Sequence, residues 1–299
     1  METKLNYKRT FLIGLAFLSI CSFWQMYDNI IPLILQNTYH LGETMTGAVM
    51  ALDNVLAIFL LPVFGALSDK VHTKLGRRMP FIVAGTILAV IFMMLLPMID
   101  NAEKARWNTG ESFSNQVIFL AVLFFTLVSM GLYRSPAVAL MPDVTPNHLR
   151  SRANAVINLM GAVGGVYALI MIKVLVGKGE TPDYLPLFAS IAAVMAIAVG
   201  ILVITIRENK LREEVEKAEA ANAGTIEEKA MAEGVEAAGE IEAVGDTGEA
   251  KAFEEKQQTA KTESAKDMPK DVKRSMYFML ASIFLWFTAY NAVTTAFSR

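Results

Sequence analysis

Cysteine and histidine are scarce in this sequence, with one cysteine and three histidines among 299 residues. A single thiol, Cys21, excludes an intrachain disulfide and a thiolate metal cluster. The histidines, His40, His72 and His148, lie in loops, and no nucleophile–base or metal-ligand spacing accompanies them. We therefore expect neither an enzyme nor a bound metal or organic cofactor.

Charged residues are scarce too, at 19%, and the net charge of −2 gives no indication of a nucleic-acid partner. By contrast, 54% of the residues are hydrophobic, which is too apolar for an ordinary soluble domain. Seven apolar runs are long enough to cross about 30 Å of hydrocarbon. They span residues 11–35, 45–67, 81–99, 117–141, 153–176, 185–206 and 276–296. The sequence therefore predicts an all-α protein that passes through a lipid bilayer several times.

Lysine and arginine gather at alternate ends of these runs. The side that includes the N-terminus carries Lys4, Lys8, Arg9, Lys70, Lys74, Arg77, Arg78, Arg150, Arg152, Arg207, Lys210 and Arg212. The opposite side carries only Lys104, Arg106, Lys173 and Lys178. Because basic loops stay in the cytoplasm, the N-terminus is predicted to be cytoplasmic, and we expect the protein in the cell membrane.

The chain divides into three predicted segments. Residues 1–206 form a six-helix transmembrane bundle, residues 207–274 a charged cytoplasmic linker and residues 275–299 a seventh helix. The linker begins with helix-forming residues and i,i+4 charge pairs, so it can extend helix 6 into water, and the rest is predicted to be mobile. We interpret it as a spacer, with a docking site for a partner as the alternative. The seventh helix is expected to begin a second six-helix half that is absent, so the chain is predicted to be a fragment whose partner is that C-terminal half.

Polar residues inside the predicted helices are the best indication of a site, because an ionisable group in hydrocarbon costs at least about 2.5–3.5 kcal/mol. They are Trp24, Gln25, Tyr27, Asp28, Asn29, Asp53, Asn54, Tyr133, Arg134, Ser135, Asn158, Tyr290 and Asn291. Helices 3 and 6 carry no charge between their ends, so we expect them to be peripheral and to face lipid. Helix 5 carries Gly161, Gly164 and Gly165 on one stripe, which indicates close helix packing.

The depth of each polar residue follows from the rise of 1.5 Å per residue. Asp28 lies about 10 Å and Asp53 about 12 Å from the outer ends of their helices, and Tyr290 and Asn291 reach the same layer. Arg134 falls in the inner half, so no direct bond to Asp28 is expected.

The depths and chemistry of these residues suggest a cation-coupling site and a sugar-binding site. Asp28 and Asp53 can share a proton or a sodium ion, because like charges in a low dielectric repel until a cation neutralises the pair. Aromatic faces beside amides suit a sugar, since rings stack on C–H faces and amides bond hydroxyls. The predicted sugar contacts are Trp24, Gln25, Asn29, Arg134, Tyr290 and Asn291. The alternative is that these groups only bond neighbouring helices.

Two stretches carry a resemblance to a known family. Gly65-x-x-x-Asp69 followed by Gly76-Arg77-Arg78 resembles the signature between the second and third helices of the major facilitator superfamily. The four extra residues in this spacing, the following Pro-Phe and the stretch 133–155 are similar to the glycoside-pentoside-hexuronide:cation symporters and the sucrose-transporter-like proteins.

The resemblance implies alternating access around a midplane sugar site lined by helices 1, 4 and 7. It also implies a cytoplasmic latch formed by Gly65, Asp69, Arg77, Arg78, Asp143, Arg150 and Arg152, in which Gly65 lets a helix of the other half approach. The alternative for these charges is simple positive-inside anchoring. Some sodium-coupled members have acids deeper in helix 2 and near position 134; this chain lacks both, which favours protons over sodium.

We therefore predict a secondary transporter, or the N-terminal half of one, that moves a sugar or glycoside, most plausibly by proton symport. The alternative function is a non-transporting membrane sensor or assembly subunit that uses the half-fold and its linker. If the second half is truly absent, the latch has nothing to lock, and the chain alone should not complete a transport cycle.

Overall fold

The computed structural model describes residues 5–107, 115–177, 182–217 and 219–220, and the single positions 278 and 282. The chain forms two compact units, Met1–Ala223 and Gly224–Arg299. The predicted seventh helix, most of the predicted linker and the candidate sugar contacts Tyr290 and Asn291 lie outside the described residues. The division at residues 206 and 274 stays a prediction.

Six long helices make up the described part of the first unit. They are α1 Tyr7–Asn37, α2 Glu43–Lys70, α3 Met79–Trp107, α4 Gln116–Asp143, α5 Arg150–Leu175 and α6 Leu185–Thr205. All six are long and apolar enough to cross a membrane. Each overlaps one predicted run, which confirms the all-α fold class. Within the described residues, the only β-type backbone pairing is an isolated bridge between Thr73 and Gly76.

The helix α1 lies at the centre of the bundle. It packs chiefly on α5 and α6, while α3 packs on α4 and α6 and α2 packs on α4. Side chains from the whole length of α1, such as Ile13, Phe23 and Ile34, are almost completely buried. The core is therefore built around the helix that also carries the largest group of polar candidates.

Burial differs among the six helices of this unit, and that helices 3 and 6 face lipid stays a prediction. The buried share of the apolar stretch is lowest in α2 and α5, and higher in α3 and α6. In α2, only Thr46 and Ser68 are buried.

The glycine stripe of α5 brings this helix against α1, as the sequence predicts. A methyl group on Gly164 would overlap the Leu18 carbonyl, and one on Gly161 would press on the Cys21 sulfur. At this approach, the Ser22 hydroxyl donates a hydrogen bond of 2.9 Å to the Gly164 carbonyl oxygen. Small residues thus allow a backbone-to-backbone contact that a larger side chain would prevent.

A further helical segment, residues 208–217, follows α6. It is not an extension of α6 into water, because the chain turns to an extended conformation at Ile206. Leu211 and Val215 are buried, and the Arg9 guanidinium lies 3.3 Å from the Glu214 carboxylate. The 208–217 helix therefore packs on the end of the bundle where α1 begins.

Candidate functional site

Three polar side chains from α1, α2 and α4 meet near the middle of the bundle. The guanidinium carbon of Arg134 lies 5.5 Å from the centre of the Trp24 ring, in cation–π geometry. Asp53 joins them in lining a cavity of about 20 Å³, which is otherwise walled mainly by apolar side chains of α2 and α4. That volume holds roughly one water molecule, so a whole sugar does not fit inside it.

The position of Arg134 differs from the depth estimated from the sequence. That estimate separated Arg134 from the level of Asp53, whereas both line the same cavity, and their opposite charges attract each other. The long arginine side chain, which carries its charge well away from the backbone, allows this difference.

The charge of Arg134 is in contact with the aromatic face of Trp24. Its guanidinium makes no hydrogen bond or ion pair with any residue that the structure describes. The indole N–H of Trp24 and the hydroxyl of Tyr27 are also buried without a hydrogen-bond partner in the described part of the chain. Trp24 and Arg134 line the cavity, whereas Tyr27 does not. Buried polar groups are normally satisfied, so the unpaired donors of these two lining residues are a feature expected of a ligand site.

The other candidates on α1 point in different directions. Asp28 is exposed, and its negative charge is close enough to that of Asp53 for the two to repel. The Asn29 amide donates to the Gln25 carbonyl oxygen at 2.7 Å, within the helix itself. The Gln25 side-chain oxygen lies near Gly165 of α5. The structure therefore groups Trp24 with Asp53, and places Gln25 on a different side of α1.

A second polar site lies where α2, α3 and α4 end or begin; we call Asp69, Arg77, Arg78 and Asp143 the paired-arginine cluster. Arg78 contacts Asp69 at 2.6 Å and Asp143 at 2.9 Å, and Arg77 contacts the same carboxylates at 3.5 and 2.8 Å. Partial burial disfavours the charge of Arg77, but its hydrogen bond to Asp143 and the nearby carboxylates outweigh that effect and raise its pKa. The cluster is thus a closed network of four charges.

The remaining predicted latch residues take other positions. Gly65 lies against Ser135 of α4 in the same unit, and its carbonyl oxygen accepts a hydrogen bond of 3.1 Å from Arg78. Ser68 accepts another hydrogen bond from the same guanidinium. Gly65 thus contacts a neighbour within the unit, and its role in letting a helix of another half approach stays a prediction.

Arg150 and Arg152 do not join the four charges. Arg150 donates to the carbonyl oxygens of Pro142 and Thr145 at 2.9 and 3.2 Å, which fixes the turn after α4. Arg152 is exposed and has no hydrogen bond or ion pair among the described residues.

Sequence reasoning missed three buried acids, Asp100, Glu103 and Glu208. Glu208, at the start of the 208–217 helix, accepts hydrogen bonds from the backbone beside the paired arginines. Asp100 lies at the other end of the bundle, where it accepts hydrogen bonds of 2.6 Å from Thr38 and from Lys104. Lys104 also donates to the Pro182 carbonyl oxygen at 2.6 Å. We call Thr38, Asp100, Lys104 and Pro182 the Asp100 cluster.

The structure thus combines six helices able to span a membrane, a paired-arginine cluster after α2 and a small, mainly apolar cavity lined from α1, α2 and α4. The profile of the Major Facilitator Superfamily matches residues 8–298. The chain belongs to the major facilitator superfamily, a family of membrane transporters, and is a multi-pass membrane protein.

Two similar proteins with curated names come from plants. The chain is 35% identical over 116 residues to sucrose transport protein SUC4 of Arabidopsis thaliana, which covers 36% of this chain and 22% of that protein. It is 26% identical over 137 residues to sucrose transport protein SUT3 of Oryza sativa subsp. japonica, covering 43% of this chain and 27% of that protein. The matched segment thus spans about a quarter of each relative.

Proposed function

We propose that this protein is a secondary transporter that moves a sugar or glycoside together with a proton, by alternating access. The observation that carries the proposal is the Arg134 guanidinium, which faces Trp24, shares a cavity with Asp53 and makes no hydrogen bond or ion pair with the residues that the structure describes. The names of the plant relatives, both sucrose transport proteins, support a sugar as the substrate.

The three side chains offer what a sugar needs. The indole face of Trp24 suits C–H groups, Arg134 donates hydrogen bonds to hydroxyl oxygens, and Asp53 accepts them from hydroxyl hydrogens. Because the cavity holds about one water molecule, we place the sugar over its mouth, with one hydroxyl group reaching inside.

Proton coupling is assigned to Asp28 and Asp53. Their charges repel, so binding one proton to the pair relieves the repulsion. Asp53 also faces Arg134, whereas Asp28 is exposed. We therefore expect Asp53 to affect both sugar affinity and proton movement, and Asp28 to affect proton movement alone.

Topology and location complete the proposal. The basic loops place the N-terminus and the paired-arginine cluster on the cytoplasmic side of the plasma membrane. There the cluster would hold one state of the transport cycle, as latch residues of the family do.

The test is sugar counterflow and sugar-dependent pH change in proteoliposomes, using protein expressed from its complete reading frame and a panel of sugars with and without a sodium gradient. Arg134→Gln is expected to weaken sugar binding about tenfold to a hundredfold, the effect of losing about 1.5–3 kcal/mol of charged hydrogen bonds. The matched control, Arg212→Gln, removes an exposed guanidinium paired with Glu216 and should leave uptake unchanged.

Asp28→Asn is expected to abolish the pH change while sugar binding persists. The proposal fails if no sugar produces a pH change and Asp28→Asn leaves uptake intact. A response that requires the sodium gradient would replace the proton by sodium as the coupling ion.

A further inference from the structure

Glu208 is almost completely buried, with 1% of its surface exposed, although it begins a highly charged segment. Its carboxylate accepts hydrogen bonds from three consecutive backbone N–H groups, those of Arg77, Arg78 and Met79, at 2.9, 3.0 and 3.1 Å. These donors stand at the start of α3, where no preceding turn supplies acceptors and the helix dipole favours negative charge. A residue 130 positions away in the chain therefore caps this helix.

The turn before α3 is shaped to admit the Glu208 carboxylate. Gly76 has a φ of +124°, a conformation that side chains with a Cβ rarely adopt. A Cβ at this position would overlap the side chain of Glu208. Beside it, the Asn209 amide donates to the carbonyl oxygens of Thr73 and Lys74 at 3.0 and 3.3 Å. The start of the 208–217 helix and this turn thus fit each other at several points.

The same two residues connect Glu208 to the paired-arginine cluster. The backbones of Arg77 and Arg78 bond Glu208, while their guanidinium groups bond Asp69 and Asp143. The position of these backbone N–H groups sets the point from which each arginine side chain extends. A shift of this turn would move both guanidinium groups relative to the two carboxylates on α2 and α4.

We propose that Glu208 is a positioning residue for the paired-arginine cluster. By holding the backbone of residues 77–79, it presents both guanidinium groups to Asp69 and Asp143. It thereby couples the segment after α6 to the contacts that join α2, α3 and α4. This role concerns the fold of the unit and does not depend on which molecule the protein transports.

A double-mutant cycle tests the coupling, because a mere helix cap would not interact with a distant carboxylate. The full chain is purified in detergent, and thermal unfolding is measured for Glu208→Gln, Asp143→Asn and the double variant. Each single substitution is expected to lower the apparent Tm by about 4–8 °C. In the Glu208→Gln background, the effect of Asp143→Asn should shrink to less than half. Strictly additive shifts would overturn the proposal.

The matched control is Glu213→Gln, the same substitution in the same helix. Glu213 is an exposed residue that pairs with Lys217 at 2.6 Å, so Glu213→Gln should shift Tm by less than about 1 °C. In the Glu213→Gln background, Asp143→Asn should lower Tm as much as it does in the parent protein. If Glu208→Gln cannot be purified, Glu208→Asp takes its place in the cycle. Glu208→Asp keeps the negative charge but shortens the side chain by one methylene group. A reduced effect of Asp143→Asn in this background supports the proposal, and strictly additive Tm shifts overturn it.

A second readout follows the turn directly. In a Cys21→Ala background, a spin label at the exposed position Lys74→Cys should become more mobile in Glu208→Gln and stay unchanged in Glu213→Gln. Equal mobility in all three proteins would contradict the proposal, because the turn would then be held without Glu208.

Discussion

The two ends of the six-helix unit carry charged networks of opposite character. In the Asp100 cluster the carboxylate has no exposed surface, and it joins the end of α1 to α3, with Lys104 reaching the loop before α6. In the paired-arginine cluster the side chain of Asp69 is 49% exposed and stands on α2, the least buried helix.

This difference decides which end can change its contacts. A buried carboxylate that loses its partner remains as an uncompensated charge, which costs several kcal/mol, whereas a half-exposed one is solvated by water. The contacts of the Asp100 cluster are therefore the ones expected to stay in place. At the paired-arginine end, the half-exposed Asp69 on α2 is therefore the partner that can be exchanged at low cost, and a latch role for the cluster stays a prediction.

The largest expected effect is at the fixed end. Asp100→Asn should lower the free energy of unfolding by about 3 kcal/mol, since it leaves the Lys104 ammonium without its charge partner in a buried site. Thermal or denaturant unfolding of the purified protein measures it. Glu216→Gln, which removes an exposed i,i+4 pair with Arg212, is the control and should cost less than about 0.5 kcal/mol. Similar losses for the two variants would show that the contacts of Asp100 do not hold this end of the unit together.

A graded effect is expected within the paired-arginine cluster. Asp143→Asn should cost about 2 kcal/mol, because this carboxylate is mostly buried and takes contacts from both arginines. Asp69→Asn should cost no more than about 1 kcal/mol, because water replaces its partner. The same unfolding measurement compares them. A larger loss for Asp69→Asn than for Asp143→Asn would reverse the assignment of the exchangeable carboxylate.

Much of the fold could be predicted because hydropathy and length are local properties. The six described helices follow directly from apolar runs long enough to span a bilayer. The motif around Gly76 also pointed to Asp69, Arg77 and Arg78, and the structure joins them with Asp143. What each of these residues does in function stays a prediction.

Two of the buried acids, Glu208 and Asp100, could not be predicted, because their partners are far away in the chain. Glu208 bonds a turn 130 residues earlier, and in sequence it is one glutamate among many in a charged segment. Asp100 bonds Thr38, 62 residues earlier, and in sequence it is an ordinary charge at the end of an apolar run. Only tertiary packing distinguishes these two from the exposed carboxylates around them.

The smallest expected effect concerns Tyr39, a neighbour of the Asp100 cluster. Its ring lies 4.9 Å from that of Phe119, and its hydroxyl is buried without a hydrogen-bond partner among the described residues. Burial, and then the charges of Asp100 and Glu103, raise the pKa of Tyr39. The folded protein therefore keeps this proton at a pH where the unfolded chain loses it, so stability should fall as pH rises above about 10.

Tyr39→Phe removes both the unpaired hydroxyl and this ionisation. At neutral pH it should raise the free energy of unfolding by no more than about 1 kcal/mol, since an unsatisfied buried group is lost while the ring contact with Phe119 persists. Unfolding measured between about pH 9 and pH 11 should show a shallower alkaline loss than in the parent protein. The exposed Tyr7→Phe is the control and should follow the parent curve. An unchanged alkaline loss in Tyr39→Phe would mean that the Asp100 end is open to water, and the contrast between the two ends would disappear.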